Sequence, residues 1–153
     1  MEHTNGHVGT PAEAAFTRLV LLVFQLNGLL LAEGDRLAGP AGQTSARWQV
    51  MGVIDHGPQT VSQIARTMGL RRQSVQRTAD LLAADGVAEY LANPADRRAQ
   101  LLALTPSGRR ALRMIERAQF EWARNHGEAI GRKSLESTAD GLEEIIAQLR
   151  RSG

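Results

Sequence analysis

The stretch RRQSVQRTAD, residues 71–80, concentrates side chains suited to planar, two-point hydrogen bonding: Arg72, Gln73, Gln76 and Arg77. A primary amide sets a donor beside an acceptor, and a guanidinium sets two donors in parallel. These groups match the N6 and N7 edge of adenine, the O6 and N7 edge of guanine, or a phosphate. On a helix, Gln73, Gln76, Arg77 and Asp80 fall on one stripe, while Val75, Thr78, Ala79 and Leu82 fall on the opposite one. The apolar stripe is expected to pack and the polar stripe to face outward. The first residues of such a helix, Arg72, Gln73 and Ser74, are the ones that reach deepest into a major groove. A second cluster, NPADRRAQ at 93–100, follows the turn dipeptide Asn93-Pro94 with adjacent guanidiniums on Arg97 and Arg98. Folding alone does not require two cations at an exposed turn, whereas a narrow, negative minor groove attracts them. Asp96 is placed to pair with one of the two and hold it extended.

The elements around these residues are marked by their punctuation. Thr60-Val61-Ser62-Gln63 is a capping box that opens a short helix, closed by Met68-Gly69-Leu70. The next helix spans about 72–85 and ends at Gly86, so two helices meet across a three- or four-residue turn containing Gly69, the spacing of a helix-turn-helix. Two strand-like runs, 87–91 and 99–104, are joined by the arginine turn. Thr10-Pro11-Ala12-Glu13 starts a first helix that runs to about Leu37, where AGPAG stops it. A second helix begins near Thr44 and ends before HGPQ. Thr105-Pro106 starts a long helix reaching roughly His126, and a last helix covers about 134–151. The expected fold is therefore mostly α with one small β-hairpin.

At 153 residues the chain suffices for one domain, or one compact domain with oligomerisation arms. It has no cysteine, which excludes disulfides, thiolate zinc sites and cysteine nucleophiles and fits a reducing cytoplasm. The net charge is only +2, yet the 18 basic residues are 17 Arg and one Lys. A GC-rich genome also favours arginine, so position is more informative: between Arg97 and Arg117 there are six arginines and one acidic residue, Glu116. The first thirteen residues carry no basic segment followed by an apolar core, so no signal peptide is expected. The apolar window LVLLVFQLNGLLLA contains Gln25, Asn27 and Gly28 and reads as a buried helix, too short and too polar to span a membrane. Apolar stripes on both terminal helices call for a partner chain. There is no phosphate-binding glycine loop, no Gly-x-Ser-x-Gly elbow and no metal spacing among His3, His7 and His126, so neither catalysis nor a cofactor nor a metal is expected.

With these features in place, residues 44–112 resemble the winged helix-turn-helix core of the MarR family of transcription regulators. The resemblance rests on LLAADGVAEY after the second helix of the pair, Asp96-x-Arg98 in the turn, and LALTPSG leading into the next helix. It extends through the flanking helices. It implies a winged helix-turn-helix domain at 40–104, a helical dimerisation region at 11–39 and 105–151, and a flexible N-terminus at 1–10. It also implies a homodimer that binds an inverted repeat in double-stranded DNA, usually as a repressor released by a small ligand. By position, Arg98 matches the family's wing arginine and Asp96 its partner, with Arg97 at the variable place between them. Gln73, Ser74, Gln76 and Arg77 match the face that contacts bases and phosphates.

Arg71 departs from the pattern, because family members often cap this helix there with Ser, Thr or Asp. Such a cap is worth ~0.5–2 kcal/mol, and a cation at a helix N-terminus is unfavourable. A bound phosphate is expected to offset both. The resemblance also implies an effector in the crevice between the dimer helices and the winged domain, where Phe24, Asn27, Arg47, Trp48, Met51 and His56 fall by position. Arg47 beside Trp48 suits a small aromatic acid, although Trp48 equally suits the core and His56 a helix C-terminus. Without cysteine, a thiol-oxidation switch is excluded. Two other readings of the fold are a winged-helix module that binds protein and a chromatin-type binder without sequence preference. The glutamines, poor electrostatic anchors and good base readers, count against the latter.

Overall fold

Threonine side chains cap four of the six α-helices in a computed structural model of the chain, which describes residues 9–152. Helix α1, Pro11–Ala38, starts at Thr10, whose hydroxyl accepts from the Glu13 amide while the Glu13 carboxylate accepts from the Thr10 amide. A single 3-10 turn, Gly39–Ala41, leads to α2, Ser45–Asp55, capped by Thr44. Helix α3, Val61–Met68, opens with the reciprocal Thr60 and Gln63 capping box. It closes at Gly69, whose φ of +65° is a left-handed conformation that only glycine adopts without strain. Helix α4, Arg72–Ala84, follows directly. Strands β1, Ala88–Leu91, and β2, Leu101–Leu104, pair antiparallel with Ala88 opposite Leu104 and Leu91 opposite Leu101. Gln59, just before α3, adds one further rung by exchanging two backbone hydrogen bonds with Leu102 at 3.1 and 2.8 Å.

Helix α5, Pro106–Ile130, runs four residues beyond the expected His126, and only Gly131 at φ +93° separates it from α6, Arg132–Ser152. The hairpin strands are shorter than their apolar runs. Asn93 and Asp96 each take a backbone amide two residues ahead, and these local bonds replace ladder bonds between 92 and 100.

The core lies among α2, α3, α4, the hairpin and the start of α5: Val50, Met51, Ile54, Ile64, Val75, Ala79, Leu82, Leu102, Leu104 and Leu112 are all buried. It seats α4, because Val75, Ala79 and Leu82 form the stripe predicted to pack. Helix α5 crosses the start of the hairpin so closely that a Cβ at Gly108 would overlap the carbonyl oxygen of Val87. Thr105 reinforces this junction by donating its hydroxyl to the Gly86 carbonyl at 2.7 Å.

Helix α1 differs from expectation. It is continuous over 28 residues, long and apolar enough to cross a membrane by length and composition. It is also not buried within its own chain: only Gly34, Leu37 and Ala38 are, while Leu21, Phe24 and Leu29 are largely exposed. Neither Gln25 nor Asn27 nor Gly28 interrupts the helix, since each costs too little to break a long apolar run. Helix α6 likewise buries no residue. The expectations for His3 and His7, for a signal peptide and for most of the N-terminal segment 1–10 fall on positions outside the described residues.

Candidate nucleic-acid interface

Helix α4 presents Arg71, Arg72, Gln73, Ser74 and Arg77 to solvent. Arg71 occupies the N-cap with extended backbone, φ −70° and ψ 136°, and no side chain caps the helix. The positive end of the helix dipole and its first amides therefore remain available to an anion. Thr78 is half-buried and donates its hydroxyl to the Ser74 carbonyl at 3.2 Å, so it borders the packed stripe.

Gln76 is half-buried, unlike its neighbours on the polar stripe. Its Nε2 donates to Asp80 Oδ1 at 2.9 Å and to the Tyr90 hydroxyl at 2.9 Å, and that hydroxyl donates to the same carboxylate oxygen at 2.6 Å. This triangle ties the exposed face of α4 to strand β1. Hydrogen bonds from Tyr90 and then Gln76 hold the Asp80 carboxyl below its ordinary range. Burial, and then the accepting Asp80 carboxylate, push the Tyr90 phenol up to about 12. At neutral pH the network thus consists of an ionised Asp80 and a protonated Tyr90.

In the wing the structure corrects one expectation. Asp96 pairs with neither guanidinium; its Oδ1 accepts the backbone N–H of Arg98 at 2.9 Å, while Asn93 Oδ1 accepts that of Ala95 at 3.0 Å. The aspartate orders the turn rather than a side chain, because a backbone amide two residues away is nearer than the end of a long arginine. Among the described residues, Arg71, Arg72, Arg77, Arg97 and Arg98 form no ion pair. Arg98, Arg72, Gln76, Asp80 and Tyr90 line one polar cleft of about 240 Å³ with Thr60, Val61 and Ser62 at the start of α3. The helix pair and the wing thus converge on one cationic surface. Arg97 lies outside the cleft.

Tyr90 and the start of α3 were not singled out from sequence. One signal was present: Tyr90, the chain's single tyrosine, falls two residues after the buried Ala88 and shares its side of β1.

The six residues expected around an effector do not come together. A largely apolar groove of about 260 Å³ lies between α1, α2 and α4, lined by Asn27, Leu31, Ala46, Gln49, Val50, Met68, Leu70, Ser74, Val75 and Thr78. Of the six, only Asn27 borders it. Phe24 is 70% exposed, Met51 is fully buried in the core and Trp48 packs against that core. His56 is the C-cap of α2, and Arg47 is paired with Asp85 at 2.6 Å. The cause is the rotation of α2, which turns Ala46, Gln49 and Val50 towards the groove and carries Arg47 and Met51 to other faces.

A helix pair with an uncapped second helix, followed by a hairpin with an arginine tip, defines the winged helix-turn-helix class of DNA-binding regulators. The MarR family model matches residues 41–99. An uncharacterized protein of Mycobacterium tuberculosis is 40% identical over 133 residues, spanning 87% of this chain and 93% of its own. The chain belongs to the MarR family of DNA-binding transcription regulators.

The transcriptional activatory protein BadR of Rhodopseudomonas palustris is 25% identical over 84% of this chain and 75% of its own length. A structure of CouR from Rhodococcus jostii RHA1 bound to p-coumaroyl-CoA superposes with a TM-score of 0.73 at 22% identity, covering 83% of this chain and 90% of that one. The transcriptional repressor CouR on a 23-mer DNA duplex gives 0.73 at 24% identity, over 86% and 94%. At these identities the two structures bear on the fold, which is that of a winged-helix regulator.

Proposed function

We propose that the protein is a homodimeric, sequence-specific regulator that binds an inverted repeat in double-stranded DNA, as a repressor released by a small ligand, in the cytoplasm. The convergence of Arg72, Gln76 and Arg98 on one cleft between recognition helix and wing carries the reading. Gln73, Gln76 and Arg77 read base edges in the major groove, Ser74 and the uncapped start of α4 receive phosphate, and Arg97 and Arg98 enter the adjoining minor groove. Among the described residues these arginines form no ion pair, which supports this, since each can meet phosphate without first breaking one.

Dimerisation is supported by the uncovered apolar side chains of α1, with Leu21, Phe24 and Leu29 the most exposed, and by an α6 in which no residue is fully buried and Leu135, Ile146 and Leu149 are exposed. A second copy covers α1 better than a lipid bilayer does, because the same helix continues into the core at Leu37 and Ala38 and carries the exposed Glu33–Arg36 pair. The apolar groove is the effector site of this reading. Its lining contains no charged residue, so it suits a small, mostly apolar body that hydrogen-bonds Asn27, Gln49 or Ser74. With Arg47 held by Asp85, an acid's carboxylate finds no cation in the groove. An occupant touches Ser74, Val75 and Thr78 of α4 itself, so binding shifts the reading helix directly. Likeness to an activatory protein favours activation as the second reading of the regulatory sign.

A salt titration of binding to duplex DNA tests the reading. Affinity falling steeply and log-linearly with salt is expected. A salt-insensitive or absent interaction would move the surface to a protein partner.

A further inference from the structure

We propose that Tyr90 and Asp80 are positioning residues for sequence specificity: they lock the Gln76 amide in one orientation, so that each half-site is read for adenine at the base pair beneath it. The inference rests on the DNA-reading function above and adds two residues that this function does not itself require.

The three distances, 2.9, 2.9 and 2.6 Å, make a nearly equilateral triangle of Gln76 Nε2, the Tyr90 hydroxyl oxygen and Asp80 Oδ1. The two oxygens therefore lie closer in direction, seen from the nitrogen, than the ~120° between the hydrogens of an amide. One N–H is shared between them, and the second N–H remains free together with Oε1. The orientation follows from chemistry. An ionised carboxylate only accepts, and the phenol hydrogen is already given to Asp80, so a flipped amide would set Oε1 against two oxygens with no hydrogen between them. Burial keeps Tyr90 from wandering: it is half-buried at the base of the hairpin, packed against the core that also seats α4.

The shared N–H that lies farther from Oε1 suits the carboxylate best, since it keeps the two acceptors apart. That leaves Oε1 and the neighbouring N–H as an acceptor–donor edge. Adenine presents the complement, an N6 donor beside an N7 acceptor, and no other base presents this pair in the major groove. An unclamped glutamine would rotate and flip, and would meet a donor of cytosine or an acceptor of guanine or thymine with one hydrogen bond each. The clamp fixes where the acceptor and the donor point, so that adenine alone satisfies both, and it does so without touching DNA.

The test uses the full-length dimer and an operator recovered by selection. The base pair at which Gln76→Ala abolishes preference marks the contact. At that position wild type is expected to prefer adenine about tenfold or more over other bases. Replacing this adenine by 7-deazaadenine, which lacks the N7 acceptor, is expected to weaken binding ~5-fold per half-site. Tyr90→Phe, which changes no charge, is expected to reduce the adenine preference severalfold at this position alone, with the salt slope and the preferences at other positions unchanged. Asp80→Ala, which also removes an anion from the cleft, is expected to lose the same preference at this position alone while binding all duplexes more tightly. Asp80 is exposed, so its variant keeps the test open if Tyr90→Phe does not fold. Unchanged adenine preference in both variants, or indifference of wild type to 7-deazaadenine, overturns the proposal. A wild type that binds duplex without base preference overturns it too but leaves the phosphate-binding surface standing, whereas no duplex binding at all overturns the underlying function.

Discussion

Removing the wing arginine isolates a single electrostatic term. In Arg98→Ala the lost guanidinium is exposed and has no ion-pair partner among the described residues, so no buried group is orphaned. The turn survives as well, because Asp96 holds the backbone N–H of residue 98, which alanine retains. The effect therefore falls on DNA binding. Each cation that displaces a condensed counterion contributes about 0.9 to the slope of log affinity against log salt, so two wings in a dimer contribute about 1.8. Between about 50 and 200 mM salt the wild type is then expected to lose ~12-fold more affinity than the variant, and the two curves converge as salt rises. Fluorescence anisotropy with a labelled operator at four or five salt concentrations measures this directly. Parallel lines, with the variant weaker by the same factor throughout, would refute the electrostatic role, and superposed lines would remove the wing from the interface.

The other expectations follow from single contacts. Asp96→Asn keeps the acceptor that orders the wing and removes a negative charge beside DNA, so its affinity is expected to equal or exceed wild type, while Asp96→Ala falls below it in the same anisotropy assay. Gly108→Ala drives a methyl group into the Val87 carbonyl and is expected to destabilise the fold by ~1–3 kcal/mol in urea unfolding at fixed protomer concentration; an unchanged midpoint would mean that α5 does not cross the hairpin this closely. Phe24→Glu puts a charge on the most exposed phenylalanine of α1; losing two buried rings at ~2 kcal/mol each would raise the dimer dissociation constant about a thousandfold in sedimentation experiments.

Legibility in the sequence followed how local the cause was. Thr10, Thr44, Thr60 and Thr105 act on amides within the next turn, so helix starts were readable to within a residue or two. The α4 stripes were readable because a period of 3.6 fixes them without reference to the rest of the chain. The rotation of α2 was not, since Arg47, Trp48 and Met51 are apolar or amphipathic on every face and only the packed neighbours decide which one meets the groove. The contact between Gln76 and Tyr90 joins positions fourteen apart through the angle between helix and hairpin, which no spacing rule supplies. Asp96 was read as a guanidinium partner although two-residue aspartate turns are a sequence-local device, so that signal was available. The burial of α1 was misjudged because an apolar run looks the same whether its own chain or a second one covers it.

The central claim, a dimer that reads sequence through α4 and the wing, is tested most directly by selecting fragmented genomic or random duplex DNA on the purified protein at near-physiological salt and sequencing what is retained. The account predicts an enriched inverted repeat whose half-sites lie about one helical turn apart, ~34 Å between recognition helices. Retention of DNA with no enriched repeat would contradict it.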